Sequence, residues 1–230
     1  NEKLKAKIPF DKIDENIVVV KDMQPYRTRK VRILNGAHTT MVPFSLLFGN
    51  ETVKETVDDS FTGAFVKEAI FDEIIPTLSL SEEELKTFAE EVLDRFRNPF
   101  IKHQLASIAL NSISKFKVRV LPSLLVFQTN CNRLPLHLVF AFACLIRFYR
   151  GEWNNKVLPV KDDEAVINEI KRIWENHSYQ EISHAVLSKE TFWDADLTEV
   201  PELQEKVALA LELIETKGIE EAYKKFTEKA

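Results

Sequence analysis

The sequence predicts a mainly α-helical fold, a multi-helix bundle preceded by a short N-terminal strand segment. Three observations point there. Only five glycines (Gly36, Gly49, Gly63, Gly151, Gly218) occur in 230 residues, a scarcity that helices tolerate better than sheets with tight hairpins. Apolar residues recur at helical spacing along most of the chain beyond position 30. Helix start and stop signals punctuate those stretches. Hydrophobic residues make up 45% of the chain and charged residues 29%, enough apolar surface for a real core and an ordinary polar exterior.

Taken in order, Ile17 to Val20 is a β-branched run that reads as a strand between the helix-breaking Pro9 and Pro25. It has no partner strand in this sequence, so residues 1–29 read as the trailing segment of a domain lying upstream, and residues 30–230 as the helical domain. Val31 to Phe48 carries apolar side chains at mixed helical spacing. Asp58-Asp59-Ser60 caps a helix running to about Ile75, before Pro76. Ser81-Glu82-Glu83-Glu84 reads as a capping box, with its acids on the positive end of the helix dipole. That helix continues through Leu85, Phe88, Val92 and Phe96 and stops at Asn98-Pro99. A further helix fits Phe100 to Ser114, and Val118 to Phe127 is ambiguous between strand and loop. Leu136 to Arg150 reads as a helix buried on most sides, ending at Gly151, and Asp162-Asp163-Glu164 opens another that reaches Trp174. Amphipathic helices follow at Tyr179 to Leu187, Pro201 to Thr216 and Ile219 to Lys229, with Pro201 in a first turn and Gly218 as a stop.

Composition narrows the functional classes. A net charge of −5 gives no basic face for nucleic acid. The longest apolar run, Leu134 to Phe148, is too short to span a bilayer and contains Pro135, His137 and Arg147, so no membrane partner is expected. Cys131 and Cys144, in or beside apolar sequence, read as reduced core residues. A charged N-terminus without an apolar leader makes a cytoplasmic protein the expectation. The five histidines at 38, 103, 137, 177 and 184 form no compact ligand set with carboxylates, so no metal is expected. Trp153, Trp174 and Trp193 read as packing anchors.

The informative stretch is Tyr26-Arg27-Thr28-Arg29-Lys30-Val31-Arg32-Ile33-Leu34-Asn35-Gly36-Ala37-His38. It sets an amine, an amide and an imidazole into an apolar helix. At 3.6 residues per turn His38 lies about 80° and Asn35 about 140° around the axis from Lys30, so the three can line one broad face. Gly36 would let another backbone or a ligand approach closely. Periodicity alone leaves a second reading open, a solvated lysine beside a satisfied core histidine.

The segment Lys30-x-x-x-x-Asn35-x-x-His38 resembles the active-site motif of the long-chain mannitol dehydrogenase family. Its wider wording, from Arg29 to Thr39, looks most like that family's altronate oxidoreductase branch. Asp94 to His103 and Asn111 to Pro122 are similar to two further family segments, and the likeness runs well over residues 8–150. The resemblance implies an N-terminal Rossmann domain followed by a helical C-terminal domain related to that of 6-phosphogluconate dehydrogenase. No Gly-x-Gly-x-x-Gly occurs here, so the dinucleotide turn is expected in the absent N-terminal domain. That domain would be this chain's partner and the main binder of NAD, and the chain alone is expected to be inactive. The resemblance further implies hydride transfer between altronate and tagaturonate, with Lys30 as the acid or base for the substrate oxygen and Asn35 and His38 as hydrogen-bond donors to it. Cationic neighbours favour the neutral amine over the ammonium, and Arg29, Arg32 and Arg95 are the expected ones. A hexuronate also carries a carboxylate, and Arg95 is the expected clamp, with Lys102 and His103 as lesser candidates and Asn98 as a hydroxyl partner. A positively charged helix end complementing the dipole remains the other reading of that cluster. The alternatives are the same chemistry on mannonate and fructuronate or on mannitol and fructose, or a non-catalytic helical oligomerisation module.

Overall fold

The computed structural model describes Lys7 and residues 9–14, 17–175 and 177–229, and within them helices make nearly the whole fold. Helix α1 (Gln24–Arg29) carries Pro25 in its first turn, where a missing N–H breaks no helical hydrogen bond. It runs through a π-helical turn (Lys30–Asn35) into α2 (Gly36–Phe48), which is buried along nearly its whole length. A capping box between Thr52 and Glu55 opens α3 (Val53–Asp58). The chain then bends at Asp59, whose carboxylate accepts from the Phe61 and Thr62 N–H groups and starts α4 (Ser60–Glu68). Gly63 sits in that bend, where a Cβ would lie 2.6 Å from the Val57 carbonyl oxygen. The two helices fold back this tightly only over a residue without a side chain. A second π turn (Ala69–Ile74) and a 3-10 turn (Ile75–Thr77) follow.

Four helices then lead to the core: α5 (Glu82–Phe96), α6 (Leu105–Ile108), α7 (Ser112–Arg119) and α8 (Leu121–Cys131). The axis of the molecule is α9 (Leu136–Phe148), buried without interruption from Leu138 to Phe148. It packs against α2 and against α13 (Leu203–Lys217). Each fully buried Leu, Ile or Phe there stabilises the fold by roughly 1.5–3 kcal/mol. Between α9 and α13 come a hairpin of β1 (Glu152–Trp153) and β2 (Lys156–Val157), then α10 (Glu164–Ile173), α11 (Tyr179–Leu187) and α12 (Glu190–Trp193). The last helix, α14 (Ile219–Lys229), packs back on α13. Arg147, only 4% exposed, ties these parts together. It pairs with Glu215 of α13, donates to the Glu152 carbonyl at 2.8 Å, and lies 4.7 Å from the Trp153 ring centroid and 5.7 Å from that of Trp174. Trp153 and Trp174 thus anchor packing, and Trp193 stacks edge-on against Phe142 of α9.

The mainly helical class holds, and several element expectations are corrected. Ile17 to Val20 forms no strand, and Ile17, Val18 and Val19 are exposed. Among the described residues no neighbouring strand pairs with it. The sheet found among the described residues is the hairpin 152–157, turned by Asn154 and Asn155 at φ 49° and 60°, the positive values of a type I′ turn. The single helix expected from Asp59 to Ile75 is instead α4 followed by a π turn. The helix expected from Phe100 to Ser114 is broken, because the isolated bridges Thr52↔Gln104 and Leu110↔Lys161 interrupt it on either side of α6 and Asn111 turns at φ 53°. Val118 to Phe127 is helical, in the end of α7 and in α8. Pro201 lies in the turn before α13 rather than inside it. Cys144 is a core residue, whereas Cys131 is exposed.

Candidate active site

The π turn determines how the Lys30 motif is presented. Its last N–H, from Gly36, reaches back to the Val31 carbonyl, five residues earlier. One turn then takes more than 3.6 residues, so the angle between Lys30 and Asn35 shrinks below the ~140° of a pure α-helix. Such turns are rare and concentrate at functional sites.

His38 is the best-defined member. Its ring lies against Phe96 of α5, with centroids 4.4 Å apart, and edge-on to His103 at 5.2 Å. Burial, then the charges of His103, Arg119 and Lys30, hold its pKa down at about 4, so the imidazole is neutral at physiological pH. Its Nε2 is enclosed and has no hydrogen-bond partner in the protein. A buried nitrogen left so costs about 1–3 kcal/mol, a cost that a substrate oxygen taking up the bond would remove.

Lys30 is exposed and, among the described residues, makes no ion pair, yet it is near enough to His38 to act on its charge. Asn35 lines a cleft of about 500 Å³ together with Arg27, Val31 and Arg32 of the same helical run and Val118 and Arg119 at the end of α7. Arg32 donates to the Ser123 hydroxyl at 3.0 Å and Arg119 to the Thr39 hydroxyl at 3.5 Å. Gly36 explains why α7 comes so close: a Cβ there would lie 3.3 Å from the Arg119 carbonyl oxygen. The other end of α7 is fixed by Tyr149, whose hydroxyl accepts from the Ile113 N–H at 3.0 Å and donates to Asp162.

The expected clamp is not assembled. Arg95 is 62% exposed and pairs with Glu91 at 3.4 Å. Its neighbour Phe96 turns inward to His38, which sends Arg95 about 100° around the helix. The Asn98 side chain accepts from the Phe100 N–H at 3.0 Å and so shapes the loop that ends α5. Lys102 borders a different hollow, of about 560 Å³, beside Glu55 and Asp58. Of that cluster, His103 alone reaches His38. Its loop is held by the Val53 N–H, which donates to the His103 carbonyl at 3.0 Å. Arg29 is also occupied, paired with Glu84 at 2.6 Å with its guanidinium 4.3 Å from the Phe88 ring centroid. The capping box expected at Ser81 is therefore half made: Ser81 accepts from the Glu84 N–H at 3.3 Å, while the Glu84 carboxylate goes to Arg29. Arg119 and Phe96 were not singled out as site residues from the sequence, although both lie within the segments that carry the family likeness.

Residues 22–215 match the family described as mannitol dehydrogenase C-terminal domain. The chain is 46% identical over 224 residues to the altronate oxidoreductases of Escherichia coli O7:K1 (strain IAI39 / ExPEC) and of Klebsiella pneumoniae (strain 342). Those matches take in 95% of this chain and 46% of each relative, so the chain spans about half their length. Among solved structures it is similar to Pseudomonas fluorescens mannitol 2-dehydrogenase in ternary complex with NAD and D-mannitol, at TM-score 0.81 and 20% identity over 92% of this chain and 42% of that one. A D-sorbitol dehydrogenase in substrate-free form is similar at TM-score 0.74 and 22% identity, over 89% of this chain and 41% of that one. At these identities the two structures bear on the fold alone, and both agree with the helical architecture.

Proposed function

The chain belongs to the mannitol dehydrogenase C-terminal domain family, and from that premise we propose that it is the substrate-binding half of an NAD-dependent oxidoreductase interconverting altronate and tagaturonate. The single observation that carries the reading is the buried, neutral, unpartnered Nε2 of His38 on the same helical run as Lys30 and Asn35. The 46% identity to altronate oxidoreductases supports the choice of a sugar acid.

NAD, when bound, supplies the hydride exchange at the substrate carbon. This chain has no glycine-rich turn to take the pyrophosphate, and an N-terminal Rossmann domain is the partner proposed to hold it. The residues present here account for the proton and the oxygen. Lys30 takes the proton of the substrate hydroxyl in oxidation and returns it to the carbonyl oxygen in reduction. His38, neutral, offers an Nε2–H to that oxygen as negative charge develops on it, and Phe96 keeps the ring from turning away. Asn35 fixes a neighbouring hydroxyl from the wall of the cleft.

The test is an assay of the intact protein with NAD on a panel of hexonates, hexuronates and polyols, with and without Lys30→Ala. Removing a general acid–base residue should lower kcat by roughly 10²–10⁴-fold. A variant that keeps its rate within a few-fold, or a parent that turns over none of the panel, sinks the proposal.

A further inference from the structure

We infer that the cleft holding Arg27, Arg32 and Arg119 receives the carboxylate of the sugar acid, so that this cleft, and not Arg95, separates acids from neutral polyols. The inference rests on the functional reading above and adds the residues that set its substrate class.

The charge pattern is the first argument. Arg29, Arg95, Arg97, Arg147, Arg150 and Arg172 each pair with a carboxylate of the chain. Arg133 lies over the Phe127 ring. Arg27, Arg32 and Arg119 converge on one cleft whose lining contains no Asp or Glu, and none of them has an ion pair among the described residues. In a chain with 36 acidic and 31 basic residues, a cleft with three guanidiniums and no counter-charge is set against the overall composition. Like charges held together repel one another, and an anion seated among them relieves that repulsion.

Desolvation is the second. Burial disfavours the charged forms of Arg32 and Arg119, and the partners they have are hydroxyls, those of Ser123 and Thr39. A partly desolvated guanidinium interacts more strongly with an anion than a solvated one does, and its planar fork matches a carboxylate. Arg95, by contrast, is solvated and already paired.

Position is the third. Asn35 lines the same cleft, and Arg119 is close enough to His38 to depress its basicity. A sugar acid with its carboxylate in the cleft therefore leads its hydroxyls past Asn35 towards His38 and Lys30.

The experiment compares the intact protein with its Arg32→Gln, Arg27→Gln and Arg95→Gln variants. It reads kcat/KM for altronate, the same quantity or an inhibition constant for the matching neutral alditol, and KM for NAD. In parallel, calorimetry measures altronate binding without cofactor. Loss of a charge-assisted hydrogen bond should lower kcat/KM for the acid by roughly ten- to a hundredfold in Arg32→Gln, with the alditol and NAD values within about threefold. Equal losses on acid and alditol would mean damage to the fold, a raised KM for NAD would mean that the cleft holds the cofactor's phosphates, and a selective loss in Arg95→Gln would restore the other clamp. Each of these overturns the inference. If the parent turns over no sugar acid, the functional reading fails by itself. Calorimetry then decides on the cleft: altronate binding that Arg32→Gln abolishes keeps it as an anion site, and binding that is absent or unaffected removes it.

Discussion

At the scale of single residues, two histidines respond to pH in opposite senses. His38 has a native pKa of about 4, below the ~6.5 of an unfolded histidine, so the unfolded chain takes up a proton first as pH falls. Its contribution makes the native state less stable from about pH 6.5 down towards 4 and is constant above that range. His38→Phe should flatten the acid side of a plot of urea midpoint against pH, and an unchanged slope would contradict the buried, neutral ring. For His137, burial pulls the pKa down, but hydrogen bonds to and the charges of Glu73 and Glu68 outweigh it and the net shift is upward. Its stabilisation is complete below about pH 6.5 and is lost as pH rises through the raised native value. Lys30, Asn35 and His38 became candidates through the resemblance of their nine-residue segment to a family motif, since periodicity alone left a solvated lysine and a core histidine open. Arg119 did not, because its partner Thr39 is 80 positions away and no periodicity connects them. Gly36 was read as a place of close approach, and the approaching group is the Arg119 carbonyl. Gly36→Ala gains about 1 kcal/mol of helix propensity and meets crowding of about 1–3 kcal/mol. We expect a small net stability change but a fall in kcat/KM through a displaced Arg119, and an unaltered kcat/KM would show that α7 moves away without consequence.

At the scale of elements, α9 shows how one side chain can start a helix from a distance. Pro135 occupies its N-cap and offers no side-chain acceptor. Glu73, 5% exposed and held on the second π turn, supplies both carboxylate oxygens instead, accepting from the His137 and Leu138 N–H groups at 2.9 Å each. Glu73→Ala removes two charge-assisted bonds and the partner of a buried imidazole, so stability should fall by about 2–4 kcal/mol. The pH dependence assigned to His137 should weaken with it. A loss below about 0.5 kcal/mol, the range of an ordinary surface change, would show that water replaces the carboxylate. Three helix starts were legible from their caps, since Asp59, Ser81 and Asp163 all accept from first-turn N–H groups, whereas the caps at Thr52 and Ser178 were not read from the sequence. The failures have physical causes. Phe100 to Ser114 has helical composition but is held open by bridges to residues far along the chain. The π turns left one sequence trace, the mixed spacing of Val31 to Phe48, since an extra residue in one turn shifts every later position off a 3.6-residue period.

At the scale of the whole molecule, the C-terminal helices are joined to the core through Arg147 and Glu215. Glu215→Gln leaves a guanidinium that is 4% exposed without its carboxylate, and should cost about 3–5 kcal/mol. For a protein of this length that lowers Tm by roughly 6–20 °C, and a shift under about 2 °C would show that Arg150 and the indole rings suffice. The helical architecture was readable because amphipathic helices declare themselves locally. The assembly of the cleft from α1, the π turn and α7 was not, since it depends on how distant helices cross. The extended turn after Arg29 has a consequence of its own. It absorbs one residue, so Lys30 and α1 keep against α2 the rotational phase of a run one residue shorter and fully α-helical. Deleting Leu34 should therefore let an ordinary α-helix close up with Lys30 still on the face that bears His38, leaving circular dichroism nearly unchanged and the rate largely retained. A folded deletion variant that lost its rate would show that the site needs the irregular turn itself and not only the phase it preserves.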